Sequence, residues 1–339
     1  MKRHLRSAAA LIFANSLMAL PAFAQAPKPL FDAHVHIDEH DAAASIALLA
    51  GSMAGLGETR VIVQTLPLGP DSPNPWDIEK IVGEIRKYPG KLGVTGGGGT
   101  LNPMLVAAYA KGDVGPAAQK RIRARAEEIL KLGAVGFGEL SNEHFATPTG
   151  TVPEYEYYPA DFPLMLLMAD IAAQHDVPIV LHMEAVPQDM ASGLTPPNPP
   201  SLHGNFKALE NLLAHNRRAK IIWAHAGSDN TGMRTADRMR PLLKANPNLT
   251  MELKIDPRAP GKTYLLADGK LKPEWLALLN EFPDRFIIGS DQHYGAADMA
   301  TLVRIRAEMS MLEQLPPAVR QKIAVDNPAR LYNVKGRQP

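Results

Sequence analysis

Cysteine is absent from all 339 residues, so the chain has no disulfide, no thiolate ligand and no lipid-modified cysteine. Any metal site must then be built from His, Asp, Glu or a modified Lys. No Lys/Arg-rich run appears beyond the first few residues, which removes the electrostatic footprint of a nucleic-acid binder. No Gly-x-Gly-x-x-Gly follows the first predicted strand, which weighs against a dinucleotide fold. The run Gly96-Gly97-Gly98-Gly99 lacks the Lys-Ser/Thr of a phosphate loop and reads as a flexible turn. There is no internal repeat and no low-complexity tract.

What is present begins with a leader. Lys2, Arg3 and Arg6 precede an apolar run from Ala8 to Leu20 that ends in Ala22-Phe23-Ala24, the pattern of a secretory signal peptide over residues 1–24. The run is short for a bilayer span, and Pro27 disfavours a cut after Ala26. Cleavage removes three positive charges and no negative ones, so the formal net charge falls from +1 to −2. The expected product is periplasmic or secreted, with no stable membrane anchor.

Residues 25–339 read as one domain. Hydrophobic residues make up 45% of the chain, enough for a large core. Strand patterns fall at 29–37, 60–66, 91–97, 133–140, 177–183, 219–225, 248–254 and 285–290. Helical patterns fall between them at 41–55, 77–88, 116–132, 161–175, 204–216, 232–245 and 273–281, with a terminal pair at 296–312 and 316–333. In the third, Ile122, Ala126, Ile129 and Leu130 form the apolar side. Asp161 ahead of Phe162-Pro163 suggests an N-cap. Eight strands alternating with helices predict an α/β fold, most economically a (β/α)8 TIM barrel; a doubly wound open sheet is the rival. The long connections 141–160 and 185–203 are placed to cover a site on the outgoing face.

The polar residues gather at that face. In Phe31-Asp32-Ala33-His34-Val35-His36-Ile37, alternation sends His34 and His36 to the same side, about 6.6 Å apart along the strand. Two imidazoles so placed can grip one divalent ion at roughly 2.1 Å each. His182 and His225 end the fifth and sixth predicted strands, and Glu139 and Asp291 end the fourth and eighth. Strict alternation puts His182 on a face with Val180, His225 with Trp223 and Ile221, Glu139 with Phe137 and Val135, and Asp291 with Gly289 and Ile287. Six ligand-type residues at five strand mouths point to a metal centre, since divalent ions favour this mixture of imidazole and carboxylate.

With His34-Val35-His36, GFGEL around Glu139, IVLHME around His182, WAHAG around His225, IIGSD ending in Asp291 and the closing Asn327-Pro328-Ala329-Arg330-Leu331-Tyr332, the chain resembles the amidohydrolase superfamily. The likeness is strongest to its amidohydrolase-related branch of metal-dependent (β/α)8 enzymes, over roughly residues 29–335. The resemblance implies that His34, His36, His182 and Asp291 hold one divalent metal, commonly zinc. It implies that His225 helps to hold a second ion or acts on the substrate, and that Glu139 either bridges two ions or stands behind one.

The chemistry implied is hydrolysis of a small-molecule amide, ester or lactone by metal-activated water, with Asp291 taking the proton and His225 polarising the substrate. A non-oxidative decarboxylase of the same fold and a noncatalytic metal- or ligand-binding barrel are the alternatives. On strand seven Thr250, Glu252 and Lys254 share the inward face, so Lys254, with Arg258 beyond it, is placed to bind a substrate carboxylate. Glu184, His293, Tyr294 and His203 are further candidates for substrate contact. The expected partner is a small molecule, not nucleic acid, and an oligomer stays open.

Overall fold

The computed structural model describes residues 28–146, 155–259, 261, 264–295 and 302–333. The expected signal peptide over residues 1–24 and residues 296–301, where a terminal helix is expected to begin, lie outside them. Eight parallel strands carry the architecture: β1 (Leu30–Ile37), β2 (Glu58–Val63), β3 (Leu92–Val94 continuing in Gly96–Gly97), β4 (Phe137–His144), β5 (Pro178–Met183), β6 (Lys220–Ala226), β7 (Leu249–Leu253) and β8 (Phe286–Ile288 continuing in Gln292–Tyr294). The first half of β3 pairs with β2, and its second half pairs with β4. In the same way β8 pairs first with β7 and then with β1. These two divided strands close the ring, so the predicted (β/α)8 barrel is the fold and the open sheet is excluded.

Helices α1 (Ala42–Leu56), α2 (Leu101–Lys111), α3 (Pro116–Lys131), α4 (Pro163–Gln174), α5 (Phe206–His215), α6 (Ala236–Ala245), α7 (Pro273–Glu281) and α8 (Val303–Leu312) accompany the strands. Asp41 starts α1 by accepting the Ala44 N–H, and Gly57 ends it in the left-handed conformation. In α3 the apolar side is buried through Ala118, Ile122, Ala126 and Ile129. Asp161 does not cap α4: Phe162 takes the N-cap position, Pro163 opens the helix, and Asp161 accepts from Asn211. The stretch 77–88 forms a 3-10 turn (Ile78–Lys80) and a single helical turn (Val82–Ile85) rather than one helix, and α2 is an element that periodicity missed. The closing stretch is broken as well, into Pro317–Gln321, a π turn over Lys322–Asp326, and Asn327–Leu331.

Two apolar layers hold the barrel. Inside the ring Phe31, Ala33, Ile62, Val135, Val180, Ile222, Ala224 and Ile287 pack together, with Leu331 and Tyr332 of the closing stretch added to them. The larger layer lies between strands and helices and includes Phe137, Leu181, Trp223, Met251 and Leu253.

This partition corrects the facing expected for two strands. Strict alternation holds for Val180 on β5, Ile287 on β8 and the Met251/Leu253 face of β7. On β4 and β6 it fails: Phe137, Ile221 and Trp223 pack outward, and Ile222 and Ala224 point in. His225 enters the mouth because its φ is +67, a left-handed break that reverses the side chain's direction at the strand's end. The pairing of β6 with β7 shifts register between Trp223 and Ala226, as that break requires.

The glycine run is not a flexible turn. Gly96 and Gly97 belong to β3, and Gly98 and Gly99 run against neighbouring backbone. A Cβ on Gly98 would stand 2.2 Å from the Thr65 carbonyl oxygen, and one on Gly99 would stand 1.5 Å from that of Trp76. Glycine is demanded here by close approach rather than by mobility.

Candidate metal centre

The mouth of the barrel draws together all six ligand-type residues. His34 and His36 leave β1 with their Nε2 atoms 3.1 Å apart. Glu139, at the bend in β4, places Oε2 3.6 Å from each of those nitrogens. Its other oxygen, Oε1, lies 2.8 Å from His182 Nδ1 and 3.4 Å from His225 Nε2. Asp291, with φ +51, turns Oδ1 to within 3.2 Å of His36 Nε2 and 3.9 Å of His34 Nε2. Two overlapping triads, His34/Glu139/His225 and His34/His36/Asp291, keep their ligand atoms within 4.8 Å of one another.

The hydrogen bonds behind the two histidines fix what they offer. Glu252 on β7 is a carboxylate acceptor 2.7 Å from His34 Nδ1, so that nitrogen carries the proton. The Gln64 carbonyl accepts from His36 Nδ1 at 3.0 Å. Both rings therefore aim Nε2 lone pairs at one point, an arrangement that repels unless a cation lies there. His225 Nε2 is buried with no hydrogen-bond partner among the described residues. Burial lowers the basicity of His34 and His36, but the surrounding carboxylates outweigh it and raise both pKa values, that of His34 well above its ordinary value. Burial works against the charge of Glu139, yet His182, His34 and His225 hold its pKa well below the usual range. Convergent lone pairs, an orphaned imidazole nitrogen and anionic carboxylates fit a divalent cation.

Glu252 was not singled out from the sequence, although its inward face was legible. It is fully buried, as is the ring it holds. Replacing Glu252 with Gln keeps an acceptor but removes the charge behind His34. Metal affinity is expected to fall about 10- to 100-fold, read by competition with a chromophoric chelator. An affinity within twofold of the unaltered protein would show that the carboxylate does not tune the ligand.

Beside the centre lies a cavity of about 440 Å³. Its walls include His144, Phe145, Ala146, Leu194, Thr195 and Asn198 from the two long connections, as expected of loops that cover a site. These loops share a small core of Phe145, Val186 and Leu202 and are tied by Asn198, which bonds both the N–H and the carbonyl of Ala146. Lys254 reaches the cavity and sits 2.5 Å from Asp291 Oδ2. Arg304 of α8 also lines it, 3.2 Å from the same oxygen and 2.9 Å from Asp256. Burial would raise the pKa of Asp291, but Lys254, Arg304 and the His36 ring hold it well below the usual carboxylate range.

The remaining candidates divide. Glu184 lines the cavity and accepts from the backbone and side chain of Asn230. His293 packs against His36 with its ring tilted by 48° and the centroids 4.8 Å apart, and keeps 42% of its side chain exposed. Arg258 is not on the cavity wall; it pairs with Asp256 and is 43% exposed. Tyr294 is buried in the helix layer, where the Ser52 hydroxyl donates to it, and His203 is an exposed residue beside Asp189. Sequence patterns gave no signal for His144, whose ring lies 4.6 Å from that of His182, or for Arg304, because neither stands at the expected end of a strand.

A family model described as Amidohydrolase matches residues 105–334, a span that contains Glu139, His182, His225 and Asp291 and begins after the β1 pair. No curated protein matches the chain. Among solved structures, it is similar to 4-oxalomesaconate hydratase from Rhodopseudomonas palustris, at 12% identity and TM-score 0.47, covering 91% of this chain and 96% of that one. It is also similar to dihydroorotase from Saccharomyces cerevisiae in complex with 5-fluoroorotic acid, at 14% identity and TM-score 0.47, covering 90% and 84%. Amidohydrolase 2 from Bifidobacterium longum subsp. infantis aligns at 11% identity and TM-score 0.40, over 91% and 99%.

Proposed function

The chain belongs to the Amidohydrolase family, and from that premise we propose that it is a metal-dependent hydrolase of a small-molecule amide, ester or lactone, working with zinc in the periplasm. The observation that carries this reading is the pair of Nε2 lone pairs 3.1 Å apart with Glu139 and Asp291 closing around them. The leader charged at Lys2, Arg3 and Arg6 supports export.

His34, His36 and Asp291 would hold one ion, and His182 and His225 a second, with the two oxygens of Glu139 turned to the two sides. When bound, such an ion supplies positive charge that acidifies water and polarises a carbonyl. The protein's own groups do the rest. Lys254 and Arg304 pin Asp291 Oδ2, which leaves Oδ1 facing the centre to orient water and accept its proton. From Asp291 the proton passes on to the leaving group. Burial and the nearby Lys254 keep the His225 ring neutral, with an open nitrogen for an ion or a substrate oxygen. The loops over the cavity limit the entry of bulk water.

Hydrolysis and decarboxylation on this scaffold differ in their balance of atoms. Turnover in oxygen-18 water is expected to place one label in the acid product, with no carbon dioxide released. Carbon dioxide without label would favour the decarboxylase, and full zinc occupancy with no turnover of any ester, lactone or amide would favour the noncatalytic barrel.

A further inference from the structure

The cavity's charges are arranged unevenly around Asp291. Lys254 and Arg304 both reach its Oδ2, while its Oδ1 belongs to the His34/His36 cluster. One carboxylate therefore answers two cations on one side and the proposed ion on the other. Asp256 balances part of Arg304's charge and is shared with Arg258. Glu184 and Asp229 also line the cavity, with Arg234 among them. Once Asp291 is committed to an ion, Lys254 and Arg304 lose part of the charge that answers them, inside a partly dehydrated cavity where that loss weighs more than it would in water.

We infer that the substrate carries a carboxylate beside its scissile carbonyl group, and that Lys254 and Arg304 receive it. This rests on the hydrolytic reading of the same centre. Both side chains are nearly buried, with 14% and 12% exposed, so they are not solvated surface charges. Arg304 is held through Nε by Asp256 and through a terminal nitrogen by Asp291, which orients the guanidinium fork before any ligand arrives. Lys254 has three N–H donors, of which Asp291 needs one. The volume, about 440 Å³, lies toward the low end of small-molecule sites and suits a small carboxylated ester, lactone or amide. Arg258, the partner that chain order suggests for Lys254, stands outside the cavity wall. The helix after the last strand supplies the second cation instead.

The test needs no knowledge of the natural substrate. Zinc-loaded protein is titrated calorimetrically with malonate, succinate, glutarate and adipate, and with the monomethyl ester of each. A series of lengths is used so that one carboxylate can reach the zinc centre while the other reaches the cations. At least one diacid is expected to bind about 10- to 100-fold more tightly than its monoester, the range for hydrogen bonds to a charged group. Arg304→Gln and Lys254→Met should bring that diacid to the monoester's affinity, and Arg304→Lys should recover part of the loss. Arg258→Gln should stay within about twofold, as for an exposed ion pair. Zinc content and circular dichroism on each variant separate a lost contact from a lost fold. Equal binding of diacid and monoester, failure of all four diacids, or unchanged binding in both Arg304→Gln and Lys254→Met overturns the assignment. If the unaltered protein takes up no zinc, the hydrolytic reading falls and this inference with it; zinc uptake without a diacid preference sinks the carboxylate alone.

Discussion

Stripping divalent cations from the purified protein with a strong chelator is expected to lower turnover at least about 1,000-fold, equivalent to roughly 4 kcal/mol of transition-state stabilisation. Zinc added back should restore it. The reason lies in the two β1 rings. With Nδ1 protons committed to Glu252 and Gln64, their Nε2 atoms have only lone pairs to present to each other across 3.1 Å. In the stripped protein the carboxylates draw a proton to this place instead, as the raised pKa values of His34 and His36 express. Proton and metal therefore compete for the same atoms. A raised pKa means that the proton is retained to higher pH, so zinc reloading should be weak at the ordinary imidazole pKa and should strengthen only as pH rises above it. Turnover that survives complete removal of metal, confirmed by elemental analysis, would end the metal-hydrolase reading.

Replacing Asp291 with Asn is expected to cut kcat about 100- to 10,000-fold while the barrel still folds. The change is nearly isosteric, so Lys254 and Arg304 keep an oxygen to bond. What is lost is the negative charge between His36 and those two cations, and with it the proposed acceptor for water's proton. Zinc is measured on the same sample, which distinguishes slow chemistry from an empty centre. An Asn variant with full zinc and kcat within threefold of the unaltered enzyme would remove Asp291 from the chemistry and leave it a structural role.

Much of this site was legible in the sequence because barrel strands deliver their last inward residue to the mouth. His34 and His36 by alternation and His182 above Val180 follow from a period of two, whereas Asp291, in the gap of β8, is turned to the centre by its φ of +51. Glu139 and His225 arrive differently. Their strands turn Phe137 and Trp223 outward, and backbone departures at the mouth bring these two side chains in, so their place at the mouth was inferred from a rule that does not hold there. Such departures carry no hydrophobic period, and no pattern of apolar residues reports them. Glu252 was visible as an inward residue but not as the partner of His34, since pairing across the ring depends on strand stagger. Arg304 was beyond reach, because it comes from a helix whose register against the barrel is set by packing. The helix α2 escaped for a related reason: it follows the glycines at once, and close backbone contact, not turn chemistry, dictates that junction.

The divided eighth strand has a mechanical corollary. Its two halves grip different neighbours, and Asp291 of the candidate centre hangs in the gap between them, with its own N–H fastened to the carbonyl of His34. The hoop is thus buckled at the proposed metal centre. Loosening the buckle by heat or denaturant would pull this acid away from both imidazoles while the outer helices still stood, so the protein should fall silent before it melts.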